Sequence, residues 1–345
     1  MDVDEKPMPA VACIMTQLFS PNEKIKMRPR GLRSVAHAFL LISTIVFAWA
    51  SADAQPQTPG SITSGKPGRP VTIPLTIHIK ESQREVELQN IDLTVNEDGE
   101  PQTVLSLRGM GTGSLTLALL IQEDLLPPVQ TEIKALAEFI RRLPRGSRVM
   151  IGYLRAGSMQ VRHKFTTDLE RAASALRPPI GFASAGPYNP YVEVVEAVKR
   201  FDSQPLGRRA ILLVSDGLDL SRGIDSSSPT FSVDLQRAIR EAQRRSIAIY
   251  GFYSPTLAAE RNRLLATNAQ SSLLRLSNET GGQAYFQGTG APVSFDPFIR
   301  DLVNALERQA ALTFLSTHTD KGFHKIQVHS STPGVRVAYP SGYVR

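Results

Sequence analysis

Residues 114–122 read "SLTLALLIQ". From Leu115 to Ile121 nearly every position is apolar, which fits a strand covered on both faces better than one with a wet side. The run leaves into an acidic, proline-bearing turn, "EDLLPPV" (123–129). The period then changes: in "VQTEIKALAEFIRRL" (129–143), Ile133, Leu136, Ala137, Ile140 and Leu143 recur at helical spacing. Pro128 suits the first turn of that helix. The same alternation continues downstream. Strands are expected at "RVMIGYL" (148–154), "MQVRHKF" (159–165), "RAILLVSDG" (209–217), "IAIYGFYS" (247–254) and "QAYFQ" (283–287). Helices are expected at 167–176, 191–201, 232–246, roughly 257–279 and 296–309, the first opened by a capping box of Thr167 and Glu170. Buried strands alternating with helices over residues 113–309 predict a doubly wound, mostly parallel, Rossmann-like α/β sheet.

The flanks have a different grammar. "VTIPLTIHIK" (71–80) is alternating and β-branched, and "IDLTVNEDGEPQTVLSL" (91–107) holds two strand-like runs around Asp98-Gly99, a hairpin-turn pair. Pro74 has to sit at an edge or bulge. After residue 309 the chain returns to β, with turns at Asp320–Gly322 and Pro333-Gly334. About three strands on each side are too few for an independent core. Segments 71–108 and 310–345 are therefore expected to pack together as one small β-sandwich.

At the N terminus, Arg28, Arg30 and Arg33 precede a 16-residue apolar run, Val35–Ala50, followed by Ala52 and Ala54 in an A-x-A pattern. This is the build of a secretory signal peptide, and the run is short for a membrane span. Residues 1–54 are read as a signal region with Met27 as the expected start, and 55–70 as a Pro/Gly/Ser/Thr-rich linker. The mature chain then has no membrane span and keeps 33 Lys/Arg against 27 Asp/Glu. Arg141, Arg142, Arg145 and Arg148 gather near one helix end, where cations suit the helix dipole. They come with no aromatic interleaving, so no nucleic-acid partner is expected. The one cysteine, Cys13, lies in the signal region, which excludes a disulfide scaffold and fits an exported bacterial protein, periplasmic, surface-bound or extracellular.

Two strands end in acids: Asp124 follows the first, and Asp216 lies in "ILLVSDGLD" (211–219), with Asp219 close behind. This order of strand, loop, helix and acid resembles a von Willebrand factor type A domain. "IDLTVNEDGEPQTV", "LSNETGGQAYF" and "GFHKIQVHSSTPGVRVAYPSGY" resemble the related exported proteins of Acidobacteria-type bacteria, a group that brings an architecture and no assigned activity. The resemblance implies a metal-ion-dependent adhesion site with D-x-S-x-S after the first strand, a threonine from a later loop and an aspartate after the fourth. Laid on this chain, those positions become Gln122, Asp124 and Leu126, Asn189 near the threonine, and Asp216. Only Asp216 matches. Asp124, Asn189 and Asp216 are the candidate ligands for Mg²⁺, but Leu126 offers no oxygen, so the site is expected to be degenerate and to hold no cofactor.

Enzyme motifs are missing: there is no G-x-S-x-G, H-E-x-x-H, P-loop or strand-linked G-x-G-x-x-G. Glu193 and Glu196 read as a solvated pair on one helix face. His318 and His324 can meet across the Asp320–Gly322 turn, while His329 falls on the opposite strand face from His324. The function expected is non-catalytic binding of a protein partner, through Gln122, Asp124, Leu126, Asn189, Asp216 and Asp219 on loops 122–128, 181–190 and 216–231. The alternatives are a secreted enzyme of unrecognised type and a structural module of the cell envelope.

Overall fold

The structure is a computed structural model that describes residues 68–79, 91–109, 113–155, 157–180 and 189–345. The signal region, most of the linker and the loop 181–188 lie outside the described residues. The chain divides into Met1–Ser61 and Ile62–Arg345, and every described residue belongs to the second unit.

That unit opens with strands β1 (Arg69–Ile79), β2 (Leu93–Glu97) and β3 (Glu100–Arg108). An α/β series follows: β4 (Thr116–Gln122), α1 (Pro128–Thr131), α2 (Ile133–Arg141), β5 (Arg148–Arg155), β6 (Ser158–Thr166), α3 (Leu169–Ser174), α4 (Pro190–Lys199), β7 (Arg209–Ser215), α5 (Val233–Arg244), β8 (Ala248–Tyr253), α6 (Leu257–Arg261), α7 (Arg263–Thr280), β9 (Ala284–Tyr285) and α8 (Asp296–Glu307). The chain closes with β10 (Gln309–Ser316), β11 (Phe323–Ser330), β12 (Val335–Ala338) and β13 (Gly342–Val344).

The α/β sheet has the order β6-β5-β4-β7-β8-β9 and is parallel except for β6. Its central strand is the quoted run, buried at every position. Leu117, Leu119 and Ile121 face a core with α2 and α8, while Ala118 and Leu120 face the opposite core with α4, α5 and α7. Both faces of β4 are dry, which is why its sequence lacks alternation. Some local expectations shift. The helix expected over 129–143 is broken into α1 and α2 at Glu132. The α3 cap is Asp168 rather than Thr167, with the Asp168 side chain accepting from the Arg171 N–H at 2.9 Å.

The outer strands form one seven-stranded antiparallel sheet, β12-β1-β10-β3-β2-β11-β13, in place of the expected two-sheet sandwich. N- and C-terminal strands are interleaved along it, with β10 between β1 and β3, so the segments share a ladder instead of facing each other. This sheet cannot be flat. β12 and β11 stand five spacings apart, about 24 Å at 4.8 Å each, yet only Ser331–Gly334 joins them, a link that spans at most ~18 Å. The sheet curls and wraps Ile73, Leu75, Ile77, Val95, Leu312, Phe314, Ile326 and Val328 into its own core. Pro74 lies in β1 opposite Ala311, and β12 pairs only with Thr76–Ile79. The Ile77 N–H points to the Arg308 carbonyl on the β10 side. By alternation the missing N–H of Pro74 falls on the other side, where no strand of the described residues reaches. The two sheets meet at Tyr250, whose hydroxyl takes the Gln309 amide N–H at 3.3 Å and lies 3.5 Å from the Thr76 hydroxyl.

Candidate functional site

In an open α/β sheet, the crevice forms where neighbouring strands send their connections to opposite faces. Here that point lies between β4, which feeds α2, and β7, which feeds α5. Ile121 pairs with Val214, so the strand ends place Gln122 beside Ser215 and Asp216. The Gln122 carbonyl oxygen accepts the Ser215 hydroxyl (2.5 Å) and the Asp216 N–H (3.1 Å), and its amide donates to Asp124 (2.9 Å). Asp216 is also spoken for: Oδ1 accepts the Leu218 N–H (3.0 Å) and Oδ2 accepts the Thr256 hydroxyl (2.7 Å). The Leu126 N–H donates to the Pro255 carbonyl at 3.1 Å, tying the β4 loop to the loop after β8.

Of the candidate residues, Gln122, Asp124 and Asp216 come together. Asn189 and Asp219 belong to a neighbouring node. Asn189 caps α4 by accepting the Tyr191 N–H (3.0 Å) and donates to Asp234 (2.7 Å). Asp219 accepts hydroxyls from Ser221 (2.6 Å) and Ser232 (2.7 Å). Tyr191, donating to the Gly217 carbonyl at 2.5 Å, joins the two nodes. The sequence reading missed Ser215 and Thr256. The first signal was a hydroxyl residue just before the strand-end acid. The second was a threonine before "LAAE", where it caps α6.

The donor set does not fit Mg²⁺, which takes several hard oxygens in near-octahedral array. The Gln122 oxygen already has two donors, its N–H₂ end faces the Asp124 carboxyl, and Leu126 supplies no oxygen. Asn189, offered by the resemblance as the threonine counterpart, is bonded elsewhere.

Two carboxyls in this domain titrate far from their ordinary range. Burial, then the Asp124 charge, pushes Asp216 up to about 7. Burial pushes Glu193 up to about 8. Glu193 is not the solvated residue expected: it is fully buried, its Oε1 takes the Gly157 N–H at 2.5 Å, and its Oε2 has no hydrogen-bond partner among the described residues. The folded chain holds both protons at pH values where an unfolded chain has lost them, so these groups favour folding fully below pH ~4 and lose that contribution as pH rises through 7 and 8. Glu193→Gln removes one of the two titrations. At about 1.4 kcal/mol per tenfold change in proton affinity, and allowing for relaxation around the site, the variant is expected to gain roughly 2 kcal/mol over wild type between pH 5 and pH 9. Melting curves of both proteins across that range check it. Parallel curves would show that Glu193 is ionised in the fold.

A groove of about 1480 Å³ between α2 and α8, lined by Phe139, Arg142, Arg145, Arg300 and Val303 among others, takes in two of the four arginines that gather near the helix end. Among the described residues no helix is long and apolar enough to cross a membrane.

No protein-family model matches the sequence, and no curated protein matches it. Among solved structures, the chain is similar to an aerotolerance-related membrane protein of Bacteroides fragilis, with 13% identity and a TM-score of 0.39 over 56% of this chain and 98% of the other. It is also similar to the conserved hypothetical protein BatB of Bacteroides thetaiotaomicron, with 10% identity and a TM-score of 0.39 over 56% and 97%. A von Willebrand factor type A structure from Catenulispora acidiphila gives 11% identity and a TM-score of 0.41 over 74% and 73%. The doubly wound topology stands on the strand order itself.

Proposed function

We propose that the chain is an exported, non-catalytic protein-binding module whose contact surface is the loops at the carboxyl edge of the parallel sheet. The observation that carries this reading is how the side chains divide there. The polar groups of Gln122, Ser215, Asp216 and Thr256 satisfy one another inside. Around them Ile180, Ile224, Phe231, Val233, Leu257 and Val293 stand exposed. Single exposed apolar residues are ordinary, but their gathering on the loops of one edge suits a protein contact. Contact through apolar loops needs no cation.

At the strand-end crevice, the raised pKa of Asp216 favours a secreted enzyme. Against it, Asp216 is 2% exposed and both its oxygens are engaged, so no substrate proton reaches it. A purely structural envelope role would leave the exposed loop residues without a task.

The test is cross-linked capture from an envelope extract of the source cell, using the wild-type chain and Phe231→Asp/Val233→Asp. The same binding species should be recovered by wild type in Mg²⁺ and in EDTA. The variant should bind it about tenfold or more weakly, as expected when central apolar contacts are lost. Equal recovery by both proteins, or recovery that disappears in EDTA, would overturn the reading.

A further inference from the structure

The antiparallel sheet gathers a second group of ionisable side chains at one end. Asp98 and Gly99 both have positive φ, 51° and 91°, the pair that a two-residue type I′ hairpin requires. The turn sets Glu97 opposite Glu100. β11 lies on the far side of β2, with Ile326 opposite Glu97, and β13 lies beyond it, with Tyr343 opposite His324. Glu97 is therefore enclosed, with no exposed surface. Its Oε1 accepts the hydroxyls of Tyr343 (2.5 Å) and Ser316 (3.0 Å). Its Oε2 has no hydrogen-bond partner among the described residues, and neither does Nδ1 of His318, which lies 3.4 Å away.

The other ring nitrogen of His318, Nε2, lies 3.7 Å from the exposed Glu100 carboxyl. In the tautomer that carries its proton on Nε2, toward Glu100, the Nδ1 lone pair faces Glu97. Two acceptor atoms facing each other in a buried space are balanced by a proton or by a metal cation between them. Asp98 supplies the third side. Its Oδ1 accepts the Lys325 N–H (2.8 Å), and its Oδ2 lies 2.8 Å from Nδ1 of His324. The His324 Nε2 faces the Asp320 carbonyl at 3.0 Å. With Asp98 at one nitrogen and Asp320 at the other, His324 is held in place beside the turn and anchors Asp98.

We propose that Glu97, Asp98 and His318 form a binding site for one divalent transition-metal ion of the Zn²⁺ class. One ligand atom from each lies within 4.8 Å of the other two. A tetrahedral zinc with bonds of about 2.0–2.1 Å places neighbouring ligand atoms about 3.3 Å apart, and the Glu97–His318 separation is 3.4 Å. Asp98, on the exposed turn, offers a carboxylate oxygen within 4.8 Å of both other ligand atoms. One imidazole and two carboxylates suit Zn²⁺ rather than the all-oxygen shell of Mg²⁺. Three protein ligands leave a fourth position for water. Glu100 then serves as the outer carboxylate that fixes the His318 tautomer. The ion would clasp the β2–β3 turn to the chain leaving β10.

Isothermal titration of the untagged, EDTA-stripped chain with ZnCl₂ and with MgCl₂ tests this. One Zn²⁺ per chain is expected, with a dissociation constant of roughly micromolar or tighter, and no Mg²⁺ at this site. Co²⁺ in place of Zn²⁺ should give the intense visible absorption of a tetrahedral centre, a readout independent of stability. His318→Gln should weaken Zn²⁺ binding about a hundredfold and abolish that absorption, and Asp98→Asn should weaken binding at least about tenfold. His163→Gln and His329→Gln should bind as wild type does. No stoichiometric Zn²⁺ binding, or undiminished binding by His318→Gln, would overturn the site and assign a proton to the space between His318 and Glu97.

Discussion

A chain that stops at Gln309 is expected to be recovered only as aggregate. β10 stands between β1 and β3, so losing residues 310–345 removes the shared neighbour of both. What remains is a lone strand and a two-stranded hairpin, which do not hold together in water. The deletion also removes Leu312, Phe314, Ile326, Val328, Val335 and Tyr343 from the enclosed core. At about 1.5–3 kcal/mol per buried side chain, the loss is on the order of 10 kcal/mol, comparable to the whole stability of an ordinary domain. Ile73, Leu75 and Ile77 are left uncovered beside an open strand edge, a combination that favours association between chains. Size-exclusion chromatography and the soluble fraction after expression read the outcome. A monomeric truncated protein with a cooperative melt would show that β1–β3 fold without the C-terminal strands.

Among the glycines of the described residues, Gly282 is the one at which an added methyl is expected to cost the most. A Cβ at Gly282 would stand 2.0 Å from the Ile249 carbonyl oxygen and 2.6 Å from its carbon. Both atoms are backbone of β8, which is hydrogen-bonded to β7 on one side and β9 on the other, so neither can swing aside. Gly282 cannot retreat easily, because its N–H is bonded to the Ser277 carbonyl at 2.9 Å where α7 ends. Forced separation of a helix end from a central strand is expected to cost about 3 kcal/mol or more, and the melting temperature should fall by roughly 6–12 °C. Gly288→Ala is the control. Unlike Gly282 it has positive φ, 65°, but nothing lies within 4 Å of its added methyl, so the only cost expected is about 1 kcal/mol of backbone strain. Equal melting of the two variants would mean that the α7–β9 connection is loose.

The α/β topology was legible because dry strands and amphipathic helices leave opposite marks in sequence. The run 114–122 has no wet face to write a period of two, whereas α2 writes Ile133, Leu136 and Ile140 at helical spacing. The Asp98-Gly99 turn was legible for a local reason: few residue pairs accept two positive φ angles. The strand order of the outer sheet was not. Alternation tells which face of β1 is buried but not that Thr72 will lie beside Thr313, 241 residues on. The site was legible only in part for the same reason. Asp216 announces itself at a strand end, but its partner Thr256 lies 40 residues away, across another strand. Glu193 read as a surface residue because helical spacing cannot show that the Gly157 turn folds over it. Asn189 was placed by resemblance at the β4 loop, whereas its position before Pro190 and Tyr191 makes it the cap of α4.

The four-residue link between β11 and β12 has a consequence for the order of events in folding. It forces the sheet to curl, and every partner of β1 in that curl, β10 and β12, lies beyond residue 308. Such pairings have among the longest sequence separations the chain allows, and closing them is slow because chain entropy is surrendered before any contact repays it. The α/β layers, whose neighbours are tens of residues apart, assemble without waiting. β1 therefore spends the early life of the molecule unpaired, and its place in the structure is taken only when the last strands arrive.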